Sequence, residues 1–201
     1  MALTIEMLAA EPRWDARRLH SLPGRSRGDL LGAWGNNVVA RFGDDALARV
    51  RRRLAPPLDE IPSVVTTRDW LPVYAQLALT EAIVDELLDG DMRALYPLLV
   101  EDTRAGMGRV HLALLRGLGA ERALRLASRQ FRKVHERGRV EVEINGRCAR
   151  LTFRGTPLFT NPTWRLLQVF ATCTMLELVG TPGVVEGQHA GDDGFVTDAR
   201  W

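Results

Sequence analysis

The sequence predicts an α+β fold: N-terminal helices, then a small antiparallel sheet built as hairpin–helix–hairpin and packed against helices. Three observations predict it. Apolar residues recur at helical spacing through residues 29–54 and 72–136. Either side of Asn145-Gly146 the spacing changes to strict alternation. A helix start at Asn161-Pro162 then separates that hairpin from two further short strands.

Taken in order, residues 1–25 read as an irregular arm ending in Pro23-Gly24. Asp29 to Phe42 reads as a helix, with Leu30, Leu31, Trp34, Val38 and Phe42 near one stripe, and Gly43 breaks it. Asp44 or Asp45 is expected to cap the next helix, which turns Ala46, Leu47, Val50 and Leu54 inward. Pro56, Pro57 and Pro62 mark a loop running toward Trp70. That loop divides residues 1–70, an arm and a helical pair, from residues 71–201, the helical and β-hairpin part, within one continuous fold. From Pro72 to Leu88, Val73, Leu77, Thr80 and Val84 share a helical face, which Asp89-Gly90-Asp91 closes. Residues 92–118 are again helical, with Pro97 suited to the first turns. Gly119 is expected to end that helix, and Ala120 to Glu136 to form another. Its inward face carries Leu124, Ala127, Phe131 and Val134; its outward face carries Arg122, Arg125, Arg129, Arg132, Lys133 and Arg137.

The strongest local signal follows. Val140, Val142 and Ile144 alternate with Glu141 and Glu143, and Ala149, Leu151 and Phe153 alternate with Cys148, Arg150 and Thr152. Asn-Gly tolerates the two positive φ angles of a type I′ turn, so Asn145-Gly146 is expected at its centre. That register sets Val142 opposite Ala149, Val140 opposite Leu151 and Glu141 opposite Arg150. The helix from Pro162 passes through Trp164, Leu167, Ala171, Met175 and Leu178 and stops at Gly180. A short strand from Val184 to Glu186 and a last one from Phe195 to Trp201 complete the sheet.

The chain has 201 residues, 46% hydrophobic and 26% charged, with a net charge of +2. That composition fits one globular core and excludes a disordered tail. Its apolar runs are too short to span a bilayer, and MALTIEMLAA contains Glu6 and no basic leader. A cytoplasmic location is therefore expected. Cys148 and Cys173 lack CxxC spacing, which excludes a disulfide framework and argues against zinc. Charge is unevenly spread: residues 56–110 carry 4 basic and 10 acidic groups, residues 111–165 carry 12 and 4. These segments could pair within the chain or across a homodimer whose apolar centre is the Trp164–Leu178 helix or the last strand.

No catalytic signature stands out. His20, His111, His135 and His189 form no HxxxH or HxH pair. His111 lies on a helix that is apolar on one side, so it could face a pocket and ligate a haem iron; such a histidine is more often a boundary residue of the core. Trp34, Met107 and Trp164 complete the ligand-binding set expected with His111. His135, at the end of the basic helix, would suit the C-terminal dipole when charged. Glu81, Asp85 and Asp89 share one helical face, which could do acid–base work or simply be solvated. Ser21, Ser26, Ser63 and Ser128 lack a nucleophile-elbow context. Asp192-Asp193 lacks the ligand spacing of a calcium loop, so no metal is expected. Arg122, Arg125, Arg129 and Lys133 are the candidate partner-binding residues. Arg49, Arg51, Arg52 and Arg53 crowd one helix, where only part of a run can point one way, so nucleic-acid binding is the weaker use of these arginines.

Several short motifs carry a family resemblance: Leu95-Tyr96-Pro97, Gly108-Arg109, Leu118-Gly119-Ala120-Glu121-Arg122-Ala123-Leu124 with Phe131-Arg132, Glu177-Leu178-Val179-Gly180, and Arg200-Trp201. Across residues 70–201 the chain resembles an uncharacterised myxobacterial family of chains of about this length. That family is similar in layout to haem nitric-oxide-binding domains and to vinyl-reductase-type small-molecule-binding domains. The resemblance implies a ligand-binding or signalling role and no reaction. Haem nitric-oxide domains hold the propionates with Tyr-x-Ser-x-Arg on a strand; the corresponding strand here reads Leu151-Thr152-Phe153-Arg154-Gly155.

The expected function is a non-enzymatic cytoplasmic sensor or adaptor that binds a small apolar ligand or a protein partner in signalling, its cofactor unknown. The first alternative is an enzyme using the Glu81/Asp85 face or His111. The second is nucleic-acid binding through the arginine-rich helices.

Overall fold

A computed structural model describes residues 2–60, 66 and 68–201; Pro62 and Ser63 of the expected loop lie outside them. The N-terminal residues are not irregular. They form α1 (Ile5–Ala9) and α2 (Ala16–His20), capped by Thr4 and by Asp15, whose carboxylate accepts from the Arg18 amide at 2.7 Å. Each helix is about one turn long and buries a single leucine, Leu8 or Leu19, so no period could show in the sequence. Leu3 exchanges both backbone hydrogen bonds with Gly187, which ties this segment to the sheet.

Next comes a short strand β1 (Arg25–Arg27), then α3 (Gly28–Phe42) and α4 (Asp44–Arg52). Gly43, at φ +89°, is the residue between the two helices and caps α4 without a side chain. Asp44 and Asp45 instead occupy the first turn, where their charge complements the helix dipole. Beyond the loop, β2 (Trp70–Pro72) pairs antiparallel with β1 and leads directly into α5 (Val73–Leu87). Most of α5 is buried on every side, which marks it as the centre of the helical layer.

The two helices expected over residues 92–136 are one element, α6 (Leu95–Val134), of 40 residues and about 60 Å in length. Gly119 adopts φ +72° within it, so the glycine departs from helical dihedrals without ending the helix. No helix among the described residues is long and apolar enough to cross a membrane.

The sheet contains β3 (Arg139–Asn145), β4 (Cys148–Arg154), β5 (Val184–His189) and β6 (Phe195–Arg200), all antiparallel in the order β3-β4-β6-β5. The β3–β4 hairpin lies where the alternation placed it, with a different turn. Asn145 pairs with Cys148, leaving Gly146 and Arg147 at the centre. Gly146 has φ +59° and Arg147 is not among the positive-φ residues, which is the type II′ pattern. The partners therefore move by two residues without changing face: Val142 meets Leu151, Val140 meets Phe153 and Glu141 meets Thr152. Arg150 forms a bidentate pair with Asp198 on β6 at 2.7 and 2.8 Å.

Between the two hairpins, α7 (Pro162–Leu178) crosses the sheet, and Asn161 caps it by accepting from the Trp164 amide at 2.8 Å. Phe153, Phe159, Trp164 and Phe195 meet beneath it with ring centroids 4.6–6.4 Å apart. Most of α7 and most of β6 are buried in this core. Neither is free to supply the apolar centre of a dimer, contrary to the sequence expectation; their apolar faces are used within the chain.

Candidate functional site

Three helices present the same spacing to one cleft. On α3 the residues are Leu30, Ala33, Trp34 and Asn37. On α6 they are Leu99, Asp102, Thr103 and Gly106, and on α7 Trp164, Leu167, Gln168 and Ala171. Each set runs i, i+3, i+4, i+7, one stripe of a helix. The main packing of α3 is against α4 and α5, which leaves a gap between it and the α6–α7 pair. Gln76 of α5 and His135, just past α6, complete the lining, and Asp29 stands at the start of α3. The cleft has a volume of about 510 Å³, within the usual range for small-molecule sites.

Polar side chains share this lining with the apolar ones: Asn37, Gln76, Thr103 and Gln168 beside Asp29, Asp102 and His135. Asp102 is half-buried and is approached by the Asn37 side chain and by Arg41, whose guanidinium lies 3.7 Å away. Burial raises the Asp102 carboxyl above its ordinary range and outweighs the pull of Arg41 and Asn37. Arg41 makes its shorter contact, 2.6 Å, to the exposed Glu101. These contacts join α3 to α6 at one end of the cleft. Asp29 accepts from the Leu30 amide at 3.1 Å.

His135 departs from its sequence expectation. It is the C-terminal cap of α6, as its position suggested, but it is uncharged: burial pushes its imidazole down to about 4. Its ring stacks on Phe131 at 4.3 Å, and its Nδ1 is buried without a hydrogen-bond partner. The adjacent backbone is fixed by the bridge between Ser26 and His135 and by the Glu136 amide donating to the Arg25 carbonyl at 2.9 Å. A histidine after a basic helix reads from sequence as a solvated dipole partner; contacts distant in sequence, the β1 bridge among them, help to bury it.

The ligand-binding set named from sequence is split. Trp34 and Trp164 line the cleft. Met107 is not among its lining residues and instead packs partly against the core. His111 is exposed, is not among the lining residues of this cleft, and has its Nδ1 3.0 Å from the Met107 carbonyl, one turn back on its own helix. Arg122, Arg125, Arg129 and Lys133 are all exposed on the second half of α6, with Arg125 paired to Glu121 at 3.3 Å.

Other charged groups serve the fold. Arg49 and Arg53 hold Glu86 at 3.3 and 2.7 Å, and Arg13 holds Asp85 at 2.7 Å. Of the acidic stripe read from the sequence, Asp85 is thus paired with the N-terminal segment, while the neighbouring Glu86 is the residue paired with the α4 arginines. Glu81 is mostly buried, accepts from the Thr163 hydroxyl and has its carboxyl raised by that burial. Arg165, buried on α7, pairs with Glu11 and donates to His189 Nδ1 at 2.6 Å. A larger trough of about 740 Å³ lies open on the sheet, but its Arg150–Asp198 and Arg200–Glu186 charges satisfy one another. A small apolar cavity of about 110 Å³ lies between α6, α7 and β3–β4.

No family model matches the chain, and no curated protein matches it. Among solved structures, an Fe(II) unliganded H-NOX protein from K. algicida matches with a TM-score of 0.50 and 11% identity, covering 87% of this chain and 95% of that one. An H-NOX protein from S. oneidensis in the Fe(II)NO ligation state matches with a TM-score of 0.50 and 13% identity, covering 87% of this chain and 98% of that one. Helices preceding a four-stranded antiparallel sheet interrupted by a helix are, on these matches, the α+β layout of the H-NOX fold, the haem nitric-oxide-binding layout anticipated from the sequence.

Proposed function

We propose that this chain is a non-enzymatic sensor or adaptor domain that binds a small, largely apolar molecule between α3 and the α6–α7 pair. One observation carries the proposal: three helices direct matching stripes, with Trp34 and Trp164 among them, into a single cleft of about 510 Å³. The fold shared with H-NOX proteins, one of them solved with NO bound, supports a ligand-sensing role.

Haem itself does not fit the residues present. Its two propionates need cationic partners, and among the described residues the cleft is lined by Asp29 and Asp102 and by no lysine or arginine. On β4 the inward positions hold the buried Leu151 and Phe153, and Arg154 is exposed. The enzyme reading is weaker because neither Glu81 nor His111 lines the cleft. Nucleic-acid binding through Arg49 and Arg53 is weaker because Glu86 already holds both.

A second reading rests on α6. Arg122, Arg125, Arg129 and Lys133 form one exposed basic face suited to an acidic protein partner. Val110 and Leu114, 72% and 63% exposed, offer an apolar stripe for a homodimer in place of α7. Light scattering decides the dimer: twice the 22.4 kDa chain mass is expected, and a monomer at micromolar concentration removes it.

The test of the ligand reading is to denature the purified protein and identify released small molecules by mass spectrometry. Ala33→Trp places a bulky ring in the cleft from an exposed helix position. The wild type is expected to release a molecule that Ala33→Trp does not. Equal release from both would overturn the assignment.

A further inference from the structure

We propose that the α3/α6/α7 cleft selects a ligand with an apolar, planar body and a positively charged head, such as an aryl-alkyl amine. This rests on the reading of the cleft as the binding site and adds the charge of the molecule that fills it. Two acidic groups reach the cleft from different walls, Asp29 on α3 and Asp102 on α6, and among the described residues no cationic side chain is part of its lining. Trp34 and Trp164 belong to the same lining, so the apolar wall is partly aromatic. An indole face attracts an organic cation as well as burying its apolar body.

The charge balance at Asp102 points the same way. The Arg41 guanidinium beside it reaches Glu101 at 2.6 Å against 3.7 Å for Asp102. Burial of the Asp102 carboxyl outweighs what Arg41 and Asn37 return, so its charge is under-compensated. A ligand ammonium would supply the missing partner, and a ligand carboxylate would add repulsion in a half-desolvated site. His135 does not compete for this role, because its imidazole, pushed down to about 4, is neutral at physiological pH. With His135 neutral, the charged side chains among the described lining residues are the two acidic ones.

The test uses three probes that share a naphthalen-1-ylmethyl body and differ in charge: naphthalen-1-ylmethanamine, naphthalen-1-ylmethanol and naphthalen-1-ylacetate. Calorimetric titration at pH 7 is expected to rank amine over alcohol over carboxylate. The amine should bind about tenfold tighter than the alcohol, the scale of one charge-assisted hydrogen bond. Asp102→Asn or Asp29→Asn should bring amine and alcohol within about threefold of each other, and using both variants separates charge loss from any loosening of the Asn37 and Arg41 contacts. Carboxylate binding as tight as amine would overturn the charge assignment and leave the cleft standing as a site. Binding of none of the three would overturn both. A haemin titration gives an independent readout: a Soret band shift abolished by His135→Gln would contradict the exclusion of the dianionic macrocycle.

Discussion

Replacing His135 by glutamine tests the electrostatics of the cleft through stability alone. In the folded chain the imidazole is pushed down to about 4 by burial; in the unfolded chain it titrates near 6.5. Above pH 6.5 the group is neutral in both states and leaves stability unchanged. Below pH 6.5 the unfolded chain binds a proton that the folded chain refuses, so stability falls as pH falls and levels off below about 4. At 1.36 kcal/mol per pH unit, the loss attributable to His135 between pH 7.5 and 5 is about 2 kcal/mol. Glutamine has no proton to bind, so the variant lacks this slope. Urea unfolding of both proteins, at pH 7.5 and 5 with matched m-values, reads the difference directly. Glu81, raised by its own burial, contributes the opposite slope to both proteins and cancels. The expected result is that the stability of the wild type relative to His135→Gln drops by about 2 kcal/mol on acidification. A difference that does not move with pH would show that His135 keeps an ordinary, solvated titration and that its end of the cleft is wet.

Three further outcomes follow from backbone and buried charge. Gly138→Ala should destabilise by about 2–4 kcal/mol, because Gly138 has φ +90° and a Cβ there would lie 2.4 Å from Phe159 Cζ; an unchanged urea midpoint would refute the packing around Phe159. Gly146→Val should cost less, about 1–2 kcal/mol, since φ is +59° but nothing lies within 4 Å of the added carbon; thermal melting checks it, and a loss as large as that of Gly138→Ala would contradict an open turn. Arg165→Met should cost about 2–4 kcal/mol by leaving Glu11 unpaired, and Glu11→Gln made in the same background should recover part of that loss; an additive double variant would show that the pair is not coupled.

Much of the layout was legible because it is local. The α3 stripe, the Asn161 cap and the alternation across β3 and β4 each follow from residues within a few positions of one another. What failed was what depends on distant partners or on a single torsion. Within the turn Gly146 alone takes positive φ, which shifted the hairpin partners by two, and Gly119 takes positive φ inside α6 without stopping it. Helices α1 and α2 are too short to show a period and are held by contacts such as Leu3 with Gly187. At the cleft, Trp34 and Trp164 were legible as large apolar residues at helical spacing. Asp102, Thr103 and Gln168 were not, although each interrupts an apolar stripe with a polar residue, a signal that could have found them. His111 misled because its helix is apolar on one side, while the imidazole bonds to its own helix one turn back on an exposed face.

The central claim is that ligand binds between Trp34 and Trp164. The chain has 5 tryptophans, so its indole N–H signals in a ¹⁵N–¹H spectrum report on Trp14, Trp34, Trp70, Trp164 and Trp201 separately once assigned by single substitution. Titrating naphthalen-1-ylmethanol should move the Trp34 and Trp164 signals together with one saturation curve and leave Trp14, Trp70 and Trp201 in place. Movement confined to the other three, or no movement up to the solubility of the probe, would contradict the account.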